Sequence, residues 1–104
     1  MKHFLIKYRF QDGSEAAWRE RIGRFIAAVE ADATLNGRIA YRCMKAGNGS
    51  SEYYHFAATA DDEAGKALQS RDFFKAYTEE TKRVSGGTVE VLPLAIIAET
   101  SARP

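Results

Sequence analysis

The chain has 104 residues, 45% of them apolar and 28% charged, with a formal net charge of +1. That length suits one domain, and the composition is that of a globular rather than a disordered chain. Acids and bases are interspersed, so no field of one sign marks a nucleic-acid or anionic-membrane surface.

The first predicted strand, Lys2–Phe10, alternates, with Phe4, Ile6, Tyr8 and Phe10 on one side and His3, Leu5, Lys7 and Arg9 on the other. Lys7 and Arg9 interrupt the apolar run, so no signal peptide is read there, and no stretch approaches the ~20 apolar residues of a membrane helix. With one cysteine, Cys43, an internal disulfide is impossible. A cytoplasmic location is the expectation.

Gln11, Asp12 and Gly13 break the strand, and Asp12 and Ser14 both suit a helix N-cap, Asp12 with Glu15 at capping-box spacing. A helix over Ser14–Ala31 follows from the apolar stripe Trp18, Ile22, Phe25, Ile26 and Val29. A second strand, Arg38–Lys45, puts Ile39, Tyr41 and Cys43 on one side. The Gly- and Asn-rich stretch 46–51 has hairpin-loop chemistry. The third strand, Glu52–Thr59, is assigned with Tyr54, Phe56 and Ala58 toward the helices and Tyr53, His55 and Ala57 away from them. A second helical region, Asp62–Val84, should start at Asp61 or Asp62 and kink where Ser70 offers a second cap. Gly86 and Gly87 should close it. The last strand, Thr88–Ala98, is followed by a frayed tail, Ser101–Pro104.

The order βαββαβ specifies an α+β, ferredoxin-like fold: a four-stranded antiparallel sheet with helices on one face. The last strand is apolar on both sides over Leu94–Ile97, and Pro93 places it at an edge or bulge. So apolar an edge needs cover, and a homodimer through the Val89–Ala98 strand supplies it. In this order, in the opening Met1–Lys7, in the segment Ser70–Tyr77 and in the apolar last strand, the chain resembles the dimeric α/β-barrel superfamily. That superfamily includes antibiotic-biosynthesis-type monooxygenases and stress-responsive A/B-barrel proteins. The resemblance implies two sheets closed into a barrel across a dimer, and no bound cofactor. It further implies a sheet–helix cleft where an aromatic compound reacts with O₂.

Candidate chemistry centres on the aromatic side chains. Trp18, Tyr41, Phe74 and Tyr77 are the candidate substrate-binding residues, and Tyr8, Tyr54 and His55 the candidate catalytic ones. Convergent hydroxyls in an aromatic pocket could orient a flat apolar ligand, and the same rings would equally fill a small core. Histidine as a residue type can act as a general base near neutral pH, which makes His55 a candidate. His3 and His55 are assigned to the outer sheet face, where they read as structural or surface groups, with His55 beside Arg9 or Arg42 as an alternative anionic-substrate site. With no histidine assigned to the cleft, haem chemistry is disfavoured, and no His, Cys or carboxylate set has metal-ligand spacing.

Cys43 reads as a buried small hydrophobe. Gly47–Gly49 lacks the ending of a phosphate loop, and Asp61, Asp62 and Glu63 read as a helix start. The order βαββαβ is also that of RNA-recognition modules, but Glu52–Ala58 lacks their basic–glycine–aromatic motif, so nucleic acid is not expected. The function expected is binding of a small apolar or aromatic metabolite, with cofactor-independent monooxygenation, or binding alone, as its purpose.

Overall fold

A computed structural model describes residues 1–102. The strands are β1 (Lys2–Arg9), β2 (Ile39–Lys45), β3 (Glu52–Thr59) and β4 (Val89–Leu94), and the helices α1 (Glu15–Ala31), α2 (Asp62–Ser70) and α3 (Asp72–Val84). The sheet runs β2-β3-β1-β4, antiparallel throughout, with the helices on one face. This is a ferredoxin-like α+β arrangement.

Helix boundaries follow from capping. Ser14 begins α1, its Oγ accepting the Ala17 N–H at 3.2 Å, while Asp12 turns to Arg83 at 3.4 Å. Asp61 begins α2 by accepting the Ala64 N–H at 2.8 Å. The expected kink is a full break, and Ser70 is not its cap: its hydroxyl donates backward to the Ala67 carbonyl, still within α2. Arg71 makes the break in extended backbone, its guanidinium held by Asp32 at 2.7 Å just beyond the end of α1. After α3, Gly86 and Gly87 adopt positive φ, and their N–H groups bond to the Arg83 and Lys82 carbonyls. That pair of bonds is a Schellman motif, and the left-handed backbone it needs is easiest for glycine.

The core lies between sheet and helices. Trp18, Ile22, Phe25 and Val29 from α1 and Leu68, Tyr77 and Val84 from α2 and α3 are all buried there. Phe25 stacks on Tyr77 with ring centroids 3.9 Å apart.

Two sequence expectations about the sheet are corrected. The expected last strand ends at Leu94 instead of Ala98, because its ladder partner runs out: Leu94 pairs with His3, and β1 begins at Lys2. The second correction is the facing of β3. Tyr53 and His55 are buried at 3% and 1% exposure under the helices, whereas Phe56 is 41% exposed on the other face. Tyr8 lies opposite Tyr53 and Ile6 opposite His55, and residues directly opposite share a face. A one-residue difference in register exchanges the two faces of a strand completely.

The outer sheet face carries Leu5, between Phe56 and Leu92 on its neighbours, with Met44 nearby; Phe56, Leu92 and Met44 are exposed. No helix among the described residues is long and apolar enough to cross a membrane. Of the tail, Ser101 and Ala102 are exposed, and residues 103 and 104 lie outside the described residues.

Candidate functional site

A cavity of about 650 Å³ opens between the sheet and the α2–α3 pair. Phe4, Ile6, Tyr41, His55 and Ala57 form its sheet wall, and Leu68, Phe74, Tyr77 and Thr81 its helical wall. The small Ala57, opposite both Phe4 and Tyr41 in the ladder, leaves the floor open where a larger side chain would fill it. Such a mostly apolar hollow with a few converging polar groups is the usual form of a small-molecule site.

Three phenols converge on His55. Its Nε2 is 2.7 Å from the Tyr8 hydroxyl, and its Nδ1 is 2.6 Å from the Tyr41 hydroxyl and 3.3 Å from that of Tyr77. Behind Tyr8, the Trp18 indole N–H donates to the Tyr8 oxygen at 2.8 Å. In front, the Tyr41 and Tyr77 hydroxyls are 3.2 Å apart. The elements explain the meeting: β1, β2 and β3 bring Tyr8, Tyr41 and His55 side by side, and α1 and α3 lower Trp18 and Tyr77 onto them.

Burial keeps the cluster neutral. It lowers the His55 pKa to about 4 and raises the phenols of Tyr8, Tyr41 and Tyr77 above their ordinary range. Desolvation penalises the charged form in each case. Cys43, opposite His55 on β2, is pushed up to about 12 by the same cause.

Of the candidate residues, the structure places His55, Tyr41, Phe74 and Tyr77 on the cavity wall. Tyr8 and Trp18 stand one layer behind it, Trp18 stacked on Tyr77 at 5.6 Å. Tyr54 is the misplaced member. It lies on the outer face with its hydroxyl donating to Glu52 at 2.8 Å, away from the cavity. His3 and His55 are on opposite faces, so no histidine pair forms, and the ground for disfavouring haem, that no histidine faces the cleft, does not hold. His55 does face it, but both its ring nitrogens are engaged by phenols. Among the described residues, no group of three or more His, Cys, Asp or Glu could hold a metal ion.

Tyr53 was missed as an inward-facing residue. It stacks on Tyr8 at 5.5 Å, and its hydroxyl donates to Glu15, which also pairs with Lys45 at 2.7 Å. The clustering of Glu15, Arg19 and Lys45 around it ties the first turn of α1 to the hairpin. Its sequence signal is the alternation Tyr53, His55, Ala57, which the adjacent aromatic pair Tyr54 and Phe56 obscures.

No protein-family model matches the chain, and no curated protein matches it in sequence. Solved structures do match it in fold. SnoaB, a cofactor-independent oxygenase from Streptomyces nogalater, superposes with a TM-score of 0.76 at 14% identity, covering 97% of each chain. A Caulobacter crescentus protein proposed as an antibiotic biosynthesis monooxygenase has a TM-score of 0.77 at 16% identity, covering 93% of this chain and 90% of its own. Rv0793 from Mycobacterium tuberculosis has a TM-score of 0.75 at 16% identity, covering 96% and 98%. The fold is that of the antibiotic-biosynthesis-monooxygenase-like proteins. At these identities the likeness concerns the backbone, and the chemistry rests on the cavity's own residues.

Proposed function

We propose that the protein binds a flat, largely apolar aromatic metabolite in the sheet–helix cavity and oxygenates it without a cofactor. The carrying observation is the cavity itself: a mostly apolar chamber of about 650 Å³ with the neutral His55, Tyr41 and Tyr77 group on its wall, and with Lys2, Asp62, Lys66 and Lys82 also among its lining residues. The fold shared with SnoaB supports the reading.

The reaction class fits that lining. A ring CH₂ beside a carbonyl is acidic because its anion spreads onto the carbonyl oxygen. A donor aimed at that oxygen in a water-poor chamber stabilises the anion as it forms. The anion then reacts with O₂: the carbon loses two hydrogens and gains a carbonyl oxygen, and the second oxygen atom leaves as water. On this reading Tyr41 and Tyr77 touch the substrate, His55 and Tyr8 position them, and Phe74 and the apolar walls hold the rings flat.

A second reading is binding without turnover. It is favoured by the His55 pKa of about 4, which leaves the cluster without a strong base at neutral pH. Oxygen uptake with hydroxylated aromatic ketones and quinols decides between them: consumption that is lost in a Tyr41→Phe/Tyr77→Phe variant supports the oxygenase, and binding without consumption supports the alternative.

The outer face, with Phe56, Leu92 and Leu94 exposed and Ile96 and Ile97 beyond the strand, supports a homodimer formed through the Val89–Ala98 segment and that face. A cytoplasmic, single-domain protein completes the proposal.

A further inference from the structure

Five polar hydrogens meet in and just behind the cavity wall: the Trp18 indole N–H, one imidazole N–H of neutral His55, and the phenol hydrogens of Tyr8, Tyr41 and Tyr77. Four contacts join the groups in a line, Trp18–Tyr8–His55–Tyr41–Tyr77. Five hydrogens in four bonds leave one over, whichever way the bonds run. The longer contact from Tyr77 to His55 Nδ1 does not absorb it, because one nitrogen cannot both donate and accept.

The direction of the line decides where the spare hydrogen sits. An indole N–H only donates, so Trp18 occupies the accepting side of the Tyr8 oxygen. Were the His55 proton on Nε2, Tyr8 would accept twice. Its own hydrogen would then point into packed side chains, with no second acceptor in hydrogen-bond reach among the described residues. Folded proteins avoid an orphaned buried donor where another arrangement is open. The other arrangement is open. Tyr8 donates to Nε2, the proton on Nδ1 donates to Tyr41, and the surplus passes to the Tyr41–Tyr77 pair. Those two phenols line the cavity; Tyr8 and Trp18 do not.

We propose that the cavity is a hydrogen-bond donor site, fed by a one-way chain from Trp18 through Tyr8 and His55, which takes an aromatic ligand by a carbonyl or phenolate oxygen. The chain is a property of the protein alone; its assignment to ligand recognition rests on the aromatic-ligand reading above. Trp18, Tyr8 and His55 are positioning residues here, acting through the two phenols that meet the ligand.

Two measurements test it. Long-range ¹H–¹⁵N correlation on ligand-free protein at pH 7.5 reports the His55 tautomer, with His3→Gln separating the two histidines. A protonated Nδ1 and a bare Nε2 are expected; the reverse overturns the chain. The second measurement compares 9-fluorenone with fluorene, which share a ring skeleton and differ in the carbonyl oxygen. The ketone should bind roughly tenfold more tightly, and Tyr41→Phe/Tyr77→Phe should erase the difference. Equal affinities in the unaltered protein overturn the donor site. Binding of neither compound overturns the aromatic-ligand reading instead, while the tautomer still judges the chain.

Discussion

Acidification should destabilise the protein through His55 well before its carboxylates titrate. The imidazole is 1% exposed and its folded-state pKa is about 4, against an ordinary 6.5. A base depressed on folding is neutral in both states above pH 6.5, so its contribution is intact there. Below that value the unfolded chain takes up the proton first, and stability falls until pH 4 is passed. The loss is about 2 kcal/mol between pH 7.5 and 5, approaching about 3 kcal/mol in the acid limit. With a urea slope of about 1–2 kcal/mol per molar, the unfolding midpoint should drop by roughly 1–2 M between those pH values. His55→Gln keeps polar atoms in the cluster and cannot titrate, so its midpoint should change far less over the same range. The comparison also removes background from Asp32, Asp61 and Asp62, whose ion-pair and hydrogen-bond partners lower their pKa values and which therefore release stability only at more acid pH. Parallel midpoint-against-pH curves for the two proteins would refute the reasoning.

Phe25→Ala removes a fully buried ring stacked on Tyr77 and should cost about 3–5 kcal/mol, read as a fall in the urea midpoint. Cys43, only half-buried but with a pKa of about 12, should react with a thiol-exchange reagent at pH 8 more slowly in the folded state than in urea; equal rates in the two states would contradict the raised pKa. Tyr54→Phe should leave ligand affinity unchanged by calorimetry, since that hydroxyl lies on the outer face, and a loss of binding would show that the ligand lies elsewhere. Ala57→Leu should fill the floor of the cavity and abolish binding while the circular dichroism spectrum is preserved.

The fold was legible because its signals are local. The stripe Trp18, Ile22, Phe25 and Val29 fixes α1, the Asp61 cap starts α2, and Gly86 with Gly87 ends α3. The break between α2 and α3 was only half visible, since the Arg71 clamp depends on Asp32, 39 residues away. The facing of β3 was the costliest ambiguity. Both of its parities carry aromatics, and the choice depends on where the β2–β3 loop closes. It closes with Lys45 opposite Tyr53, an odd residue facing an odd one, so the inward set Tyr41 and Cys43 takes Ala57 and His55 with it. A single residue's change in that closure would have turned His55 outward. His55 itself was legible as reactive by type but not by place, because a buried histidine resembles a surface one until its partners are known.

The most direct test of the cavity as the ligand site is chemical-shift mapping of ¹⁵N-labelled protein titrated with 9-fluorenone. The largest changes are expected at the amides of Ala57, Tyr77 and Thr81, facing the cavity from sheet and helix. Changes confined to Leu5, Phe56 and Leu92 on the outer face, or none anywhere, would contradict it.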